Sequence, residues 1–372
     1  MNPKRWSWRL LLPLAVLSAA LGLAACGGDD DDDGDGGGGD GGGKIAFLLP
    51  ETQTTRYESD DRPNFEAAVE DLCPDCEILY YNADQDVATQ QSQVETAITE
   101  EADVMVLDPV DSASAGGLAS QAKSAGIPVV SYDRLILNAD LDYYVAFDSV
   151  AVGEQQATSL SEKLQQEGSP QGPIVMINGD PQDNNAKLFN QGAESVFGDR
   201  GVEIAREFDT PDWLPENAQR EMDQAITALG NDGFAAVYAA NDGTAGGAIA
   251  ALKGAGIEPA SKPTTGQDAE LAAIQRIIAG EQYMTVYKPI KTLAENAAAI
   301  AVALANGEEP ASDLINSEYD NETEQVPTNQ IDTIPVSTAK EIEDSVIADD
   351  YWSVDEICTK QYAQACKDAG LQ

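Results

Sequence analysis

Histidine is absent from the sequence, and basic residues are scarce, with 21 lysines and arginines against 65 aspartates and glutamates. Without histidine the chain lacks the commonest general base, the commonest zinc ligand and every serine–histidine or cysteine–histidine catalytic pair. The net charge of −44 repels nucleic acid, and no basic cluster offsets it. We therefore expect a binding protein rather than an enzyme, with no metal, no cofactor and no nucleic-acid partner.

The N-terminal segment has the layout of a secretory signal peptide. A basic start precedes an apolar run over residues 10–25, which is shorter than the ~20 residues that a membrane-spanning helix needs. Small residues end this run, as they do at a signal-peptide cleavage site. The sequence Leu-Ala-Ala-Cys over residues 23–26 resembles a bacterial lipobox, which implies cleavage before Cys26 and a lipid on its thiol. An ordinary signal peptide with an incidental cysteine is the alternative.

Residues 27–43 contain only aspartate and glycine. Glycine maximises chain entropy and the aspartates repel one another, so this segment cannot join a folded core. We predict a signal peptide over residues 1–25, followed over residues 26–43 by a lipidated cysteine and a disordered tether of about 20–25 Å. The lipid would hold an extracytoplasmic domain at the outer face of the cell membrane. A calcium site is the alternative, but the segment lacks the glycine and glutamate spacing of an EF-hand loop.

The other four cysteines are Cys73, Cys76, Cys358 and Cys366. An even number outside the cell suggests disulfide bonds, and four cysteines allow three pairings. We favour the two near pairs, each of which closes a local loop. A redox Cys-x-x-Cys is the first alternative, but Cys73 and Cys76 follow a predicted helix, whereas a helix N-terminus is what lowers a thiol pKa. A zinc site is the second, and the wide separation of the two pairs argues against it.

Short β-branched runs alternate with helical stretches along the rest of the chain. We predict strands at residues 44–49, 77–81, 103–107, 127–132, 174–178, 202–208, 235–239 and 283–287. We predict helices at residues 62–72, 87–100, 112–125, 152–165, 186–197, 215–229, 244–254, 270–279 and 290–306. Such alternation is typical of open α/β sheets with parallel strands and right-handed crossovers. The pattern pauses over residues 137–147 and restarts, so we predict two α/β units of similar build.

Polar and aromatic side chains follow the predicted strands, where open α/β sheets bind their ligands. The candidate binding residues are Arg56, Tyr57, Asp133, Arg134, Asp183, Asn185, Trp213, Asn241, Asp268 and Lys288. Carboxylates and amides exchange hydrogen bonds with vicinal hydroxyls, and arginine bridges two oxygens at once. Aromatic rings cover the C–H faces of a pyranose. A phosphate would instead call for a glycine-rich nest, so the pattern favours a neutral polyol.

Each candidate also has a purely structural interpretation. Asp133 and Arg134 could form an ion pair, and Trp213 could be a core residue. Asn241 and the cluster over residues 183–185 could be helix N-caps. Seven such sets at successive strand ends nevertheless favour a ligand cleft over unrelated coincidences.

The strand-end segments resemble the aldose-binding proteins of ABC importers, D-xylose-binding proteins among them, within the type I periplasmic binding protein superfamily. The matching segments, in the same order, are residues 132–134, 183–187, 213–218, 241–249, 266–269 and 284–289. The resemblance runs from about residue 44 to about residue 348. It implies two Rossmann-like lobes joined by three crossovers, with ligand between them. The lobes would be residues 44–147 with 289–330 and residues 148–288 with 331–348, hinged near residues 147–149, 287–289 and 330–332.

The same resemblance implies a function. A monosaccharide, D-xylose before other aldoses, would bind the ten candidate residues, with its ring between Tyr57 and Trp213. Hinge closure would capture it, and the closed form, expected to be a monomer, would dock on an ABC transporter permease. A sugar-sensing lobe that contacts a membrane receptor and a carboxylate-based glycosidase are the alternatives.

The chain departs from that family in two places. Tyr57 stands where the family more often has tryptophan, and the spacing from there to Arg62 is altered by an inserted residue. The C-terminal extension, residues 349–372, has no counterpart in the family and contains two of the cysteines. Both departures lie outside the matching segments.

Overall fold

A computed structural model describes residues 42–371 of the chain. The predicted signal peptide, Cys26 with its predicted lipid and all but the last two residues of the predicted tether lie outside the described residues. Within the described residues, no helix is both long and apolar enough to cross a membrane.

Strands and helices alternate along the described chain. The strands are β1 (Lys44–Leu49), β2 (Glu77–Asn82), β3 (Val104–Leu107), β4 (Val129–Tyr132), β5 (Tyr143–Phe147), β6 (Ile174–Asn178), β7 (Ile204–Asp209), β8 (Ala236–Ala239), β9 (Thr285–Tyr287), β10 (Ser317–Asp320), β11 (Gln325–Ile331) and β12 (Ile334–Val336). The helices are α1 (Arg62–Leu72), α2 (Val87–Thr99), α3 (Ala115–Ser124), α4 (Ser149–Gln166), α5 (Asn184–Arg200), α6 (Pro215–Leu229), α7 (Asp242–Gly254), α8 (Leu271–Ile278), α9 (Ile290–Ala305), α10 (Ala339–Ile342), α11 (Val354–Ile357) and α12 (Ala363–Ala369). Single turns of π-helix occupy Tyr57–Asp61 and Glu343–Ile347, and single 3₁₀ turns occupy Pro211–Trp213 and Pro259–Ser261.

The first lobe contains a seven-stranded sheet in the order β10-β11-β5-β4-β3-β1-β2. Only β10 and β11 pair antiparallel in it, and Phe47 of β1 lies opposite Tyr80 of β2. Alternate residues of β1 face opposite helix layers. Phe47 packs with Phe65 of α1, whereas Leu48 packs in the cluster formed with α2 and α3. Because helices cover both faces of this sheet, β1 is buried over residues 45–49.

The second lobe is built around the parallel strands β7-β6-β8. A parallel bridge from Val237 to Thr264 extends this sheet, and β12 pairs antiparallel with β9. Ile177 of β6 packs with α6 and α7, whereas Met176 packs with α4 and α5 on the other face. The fold is therefore α/β, with two Rossmann-like lobes and mainly parallel sheets, and the predicted fold class is confirmed.

Three connections join the two lobes. The chain passes from β5 to α4 at residue 148, from β9 to α9 at residues 288–289, and from β11 to β12 at residues 332–333. These connections lie at or beside the positions where hinges are predicted. The predicted lobe boundaries and the hinge motion itself stay predictions.

Two parts of the secondary-structure prediction are wrong. No strand is predicted within residues 137–147, but β5 lies there and pairs with β4 and β11. The connection from β4 to β5 is a loop rather than a helix, so the alternation of strands and helices fails at this point. Strands β10 to β12 also form beyond residue 306, where no strand is predicted. Strand β10 is a partly exposed edge strand, and its pairing rather than an apolar pattern defines it.

Two disulfide bonds join Cys73 to Cys76 and Cys358 to Cys366, the near pairs that the sequence spacing favours. The second bond lies in the C-terminal extension, which is described to residue 371. Buried side chains of the extension, Ile357 and Leu371 among them, pack in one apolar cluster with α8. The extension is therefore part of the second lobe's packing rather than a free tail.

Candidate functional site

Two strand ends of the first lobe carry the first group of predicted site residues. Arg56 and Tyr57 follow β1, and the π-helical turn begins at Tyr57. The backbone N–H of Arg62 donates to the carbonyl of Tyr57, five residues earlier. A π-helical turn takes up one residue more than an α-helical turn. The altered spacing between Tyr57 and Arg62 therefore has a structural counterpart, a local bulge before α1.

Arg56 is held in a fixed orientation by two carboxylates. Its Nε and Nη2 atoms donate to the carboxylate oxygens of Asp61 at 2.8 and 2.6 Å. Its Nη1 atom donates to Oδ2 of Asp133 at 3.0 Å, and the Tyr57 hydroxyl donates to the same oxygen at 3.2 Å. Burial alone would lower the pKa of Arg56, but Asp133 and Asp61 raise it well above its ordinary value. Arg56 is therefore a permanent, pre-oriented cation beneath the cleft.

Arg134 is surrounded by carboxylates from both lobes. Its Nε atom lies 3.1 Å from Oδ2 of Asp183 and 3.7 Å from Oδ1 of Asp108, and its Nη2 atom lies 3.8 Å from Oε1 of Glu51. Burial raises the pKa of Asp108 well above its ordinary range, although Arg134 opposes the shift. Burial acts to raise the pKa of Asp133, but the nearby cations Arg56, Lys288 and Arg134 bring it below its ordinary value.

The N-terminus of α5 carries the second group of residues, and it contacts the first lobe directly. Asp183 caps the helix, with Oδ1 accepting the N–H of Asn185 at 2.8 Å. Its Oδ2 atom accepts the indole N–H of Trp213 at 3.2 Å. The side-chain amide of Asn185 donates to the backbone carbonyl of Asp133 at 3.0 Å. The N-cap interpretation of this cluster is therefore confirmed, and Asp183 and Asn185 also line the cleft, where ligand contact stays a prediction.

Trp213 lies over the end of β6, where the chain has a glycine. A Cβ atom on Gly179 would collide with the six-membered ring of Trp213, so only glycine leaves room for the indole. The ring of Phe189 packs edge-on against the indole, with centroids 6.5 Å apart and an interplanar angle of 64°. Trp213 belongs to the core cluster of this lobe and also lines the cleft, so its core role is confirmed and its contact with a sugar stays a prediction.

The remaining predicted residues come from the second lobe and one connection. Asn241 is the N-cap of α7, and its Oδ1 atom accepts the N–H of Thr244 at 2.8 Å. Asp268 lies four residues after Thr264, whose bridge with Val237 adds to the second sheet, and it has a backbone φ of +92°. Its Oδ1 atom lies 3.2 Å from Nζ of Lys288 and 4.0 Å from Nη1 of Arg56.

All ten predicted binding residues line one cleft between the lobes. The space between them is about 290 Å³ when the opening to solvent is included. Three further residues line it that the sequence analysis does not predict: Thr54, Phe189 and Gln267. Thr54 and Gln267 are close neighbours of predicted residues along the chain. Phe189 lies within α5, four residues after Asn185 and so on the same helix face, which is the pattern that could have identified it.

The cleft combines balanced charge with unpaired hydrogen-bond acceptors. Three cations and three carboxylates line it: Arg56, Arg134, Lys288, Asp133, Asp183 and Asp268. Within the described residues, the buried atoms Oδ1 of Asp133, Oδ1 of Asn185 and Oε1 of Gln267 have no hydrogen-bond partner. Such oxygens can accept hydrogen bonds from the hydroxyl groups of a ligand. The balance of charge in the cleft suits an uncharged ligand. In the same part of the chain, no group of three or more acidic or cysteine side chains is arranged to hold a metal ion.

A family profile described as a periplasmic binding protein domain matches residues 45–309. The chain belongs to the periplasmic binding protein family. It is 39% identical over 318 residues to the D-xylose-binding periplasmic protein of Escherichia coli K12, covering 84% of this chain and 92% of that protein. It is 30% identical over 331 residues to the multiple sugar-binding periplasmic receptor ChvE of Rhizobium radiobacter, covering 85% of this chain and 92% of the relative.

Solved structures share the fold of this periplasmic binding protein. A crystal structure of an ABC transporter solute binding protein from Clostridium phytofermentans, with bound β-D-glucose, superposes with a TM-score of 0.75. That protein is 32% identical, and the match covers 84% of this chain and 99% of the other. The comparison supports the predicted type I periplasmic binding protein fold over nearly the full length of the known structure.

Direct contacts hold the two lobes of this periplasmic binding protein together across the cleft. Arg134 pairs with Asp183, Asn185 donates to the carbonyl of Asp133, and Arg56 approaches Asp268. Arg56, Arg134 and Asp183 are each no more than 3% exposed. Residues of both lobes therefore face the same small volume and contact one another directly.

Proposed function

We propose that this protein captures a monosaccharide, D-xylose before other aldoses, and delivers it to the permease of an ABC transporter. The observation that carries the proposal is the lining of the cleft, where balanced charges and unpaired acceptors lie beside aromatic rings. Two relatives support it, since one at 39% identity is named a D-xylose-binding periplasmic protein and one at 32% holds bound β-D-glucose.

The proposed contacts divide between the lobes. Arg56, Asp133 and Arg134 of the first lobe would bind one set of hydroxyls, and Asp183, Asn185, Asn241 and Asp268 of the second lobe another. Lys288, in the connection between lobes, would donate to a ring or hydroxyl oxygen. The rings of Tyr57 and Trp213 would cover the C–H faces of the pyranose.

Capture would follow from the two-lobed geometry. A sugar can contact both lobes at once only when they are closed, so its binding energy favours the closed form. The three connections at residues 148, 288–289 and 332–333 would act as the hinge, as in hinge closure of periplasmic binding proteins around their ligands. The closed form, as a monomer, would then dock on the permease.

We also propose that the domain is tethered outside the cell by lipid on Cys26, which lies outside the described residues. The lipobox-like residues 23–26 and the family membership support this. Growth of the producing cells with labelled palmitate should label the wild-type chain and leave a Cys26→Ser variant unlabelled. Equal labelling of both chains, or label in neither, would contradict the anchor.

Calorimetry of the purified protein with D-xylose, L-arabinose, D-ribose, D-glucose and D-galactose tests the proposed ligand. We expect one-to-one binding, strongest for D-xylose. The binding free energies of a pentose and the matching hexose are expected to differ by about 1–3 kcal/mol, because the hexose has one extra CH₂OH group that has to fit in the cleft. Stronger binding of a hexose would show that D-xylose is not the preferred ligand. No heat of binding with any of the five sugars would contradict sugar capture.

A sensing role is the second candidate, because the relative from Rhizobium radiobacter is named a receptor. The same cleft would serve both roles, so the partner distinguishes them. Crosslinking of the sugar-loaded protein in its own membrane should capture a permease for transport and a signalling receptor for sensing. We do not expect enzymatic activity, and turnover of aryl glycosides by the protein would contradict that expectation.

A further inference from the structure

The loop that presents Asp268 adopts an unusual backbone conformation. Asp268 has a φ of +92° and Ala269 a φ of +52°, so two successive residues other than glycine have positive φ. Residues with side chains rarely adopt this region, because the Cβ atom crowds the backbone. A conformation of this kind persists only when the surrounding structure holds it.

Hydrogen bonds from the second lobe hold part of this loop. The N–H of Asp268 donates to the carbonyl of Val286 at 2.9 Å, and the N–H of Ala269 donates to Oγ1 of Thr285 at 3.2 Å. The N–H of Glu270 donates to Oδ2 of Asp242 at 3.0 Å. These three bonds fix the N–H groups of the loop and leave its carbonyl groups to other partners.

The carbonyl of Ala269 is held from the C-terminal extension. It accepts the indole N–H of Trp352 at 2.8 Å. Trp352 lies 83 residues further along the chain, in the C-terminal extension. The extension therefore supplies a specific hydrogen bond to the residue directly after a cleft carboxylate.

The same segment also contacts the residue next to Lys288. The rings of Trp352 and Tyr351 lie 5.0 Å apart, and those of Tyr351 and Tyr287 lie 5.4 Å apart. The hydroxyl of Tyr287 donates to Oδ2 of Asp349 at 3.1 Å. Asp268 and Lys288 form an ion pair at 3.2 Å. The extension contacts the chain neighbour of each, Ala269 beside Asp268 and Tyr287 beside Lys288.

We infer that Trp352 is a positioning residue for the sugar site, because its indole N–H holds the left-handed turn that aims Asp268 into the cleft. The inference rests on the proposed function, since the affinity of the cleft for sugar is its readout. It assigns to the C-terminal extension a role in binding besides its packing on α8.

The test compares full-length variants by calorimetry with D-xylose, or with whichever sugar of the panel the wild type binds. Trp352→Phe keeps an aromatic ring and removes the indole N–H, and we expect roughly fivefold weaker binding. Trp352→His should restore part of the affinity at a pH where the imidazole is neutral, because its Nε2–H occupies the same ring position as the indole N–H. Tyr362→Phe is the matched control, since Tyr362 lies in the same apolar cluster and has no hydrogen bond to the loop.

A double-mutant cycle with Asp268→Asn separates positioning from a general loss of structure. If Trp352 acts through Asp268, Trp352→Phe should weaken binding much less in the Asp268→Asn background than in the wild type. Equal losses in both backgrounds would overturn the inference, and so would binding by Trp352→Phe within twofold of the wild type. A wild type that binds no sugar would instead contradict the proposed function.

A measurement on the unaltered protein covers the case in which Trp352→Phe does not fold. In ¹⁵N-labelled protein, sugar binding should shift the indole N–H resonance of Trp352, because the bond it donates adjoins the residue that contacts the ligand. A resonance that stays in place at saturating sugar would overturn the inference.

Discussion

Nε of Arg134 lies 3.1 Å from Oδ2 of Asp183, and this ion pair joins a strand end of the first lobe to the N-cap of α5 in the second. Both residues are buried, with 2% and 3% of their surfaces exposed. Oδ2 of Asp183 also accepts the indole N–H of Trp213. One carboxylate therefore takes part in a contact between the lobes, in the start of a helix and in the position of an aromatic ring in the cleft.

Replacing Arg134 by alanine should weaken sugar binding by at least about 2 kcal/mol, roughly thirtyfold. The change removes the bonds proposed between Arg134 and the sugar, and it leaves Asp183 without its cation in a buried site. Calorimetric titration with D-xylose measures the loss. Arg200→Ala is the control, because Arg200 is 38% exposed, pairs loosely with Glu162 and lies far along α5, so it should bind as the wild type does. Unchanged affinity in Arg134→Ala would remove Arg134 from the site.

Asp268→Asn should also cost at least about 2 kcal/mol of binding free energy. The amide keeps the shape of the side chain but leaves Lys288 and Arg56 without the carboxylate that lies near both. Asp344→Asn gives the comparison, since Asp344 forms an exposed ion pair with Lys340 that should contribute little. Wild-type affinity in Asp268→Asn would show that the ligand does not depend on this carboxylate.

Gly179→Ala should weaken sugar binding by about 1 kcal/mol or more, because the new Cβ atom displaces the ring of Trp213 from the end of β6. Tryptophan fluorescence should report the displacement together with the affinity. In Gly198→Ala, on α5, the new methyl group meets no atom within 4 Å apart from the adjacent backbone of its own helix, so that variant should keep both the affinity and the spectrum. A Gly179→Ala protein with an unaltered spectrum and affinity would contradict the close contact.

Sugar affinity should decrease as the pH rises through about 7 because of Glu270. Burial first, and then the charge of Asp268, raise the pKa of Glu270 to about 7 with the lobes in contact, while Arg276 opposes the shift. A carboxyl with a raised pKa favours the closed form when it is protonated. The favourable contribution of protonated Glu270 to sugar binding is complete when the pH is below 4.5, the ordinary pKa of a glutamate. This contribution is lost as the pH rises through about 7.

Calorimetry at several pH values between about 5 and 8 tests this dependence. Glu270→Gln should bind with an affinity that changes less over that range, because the amide does not titrate. Glu194→Gln, at an exposed position of α5, should keep the wild-type pH profile. An identical profile in Glu270→Gln would mean that another group causes the dependence.

Much of the molecule follows from local patterns in the sequence. Continuous apolar runs such as residues 104–107 predict buried parallel strands, because helices cover both sheet faces and leave no solvent-exposed side. The rule that ligands lie beyond strand ends places all ten predicted residues in one cleft. Both inferences depend on neighbours along the chain, so a sequence suffices for them.

The sequence by itself therefore determined the α/β class, the alternation of strands and helices and the set of residues at the strand ends. Tertiary structure decided what depends on distant partners. It paired the loop-connected β5 with β11, brought Phe189 into the cleft from within a helix, and set the indole of Trp352 against the carbonyl of Ala269. It also raised the pKa of Glu270, because burial and the nearby charge of Asp268 exist only once the chain has folded.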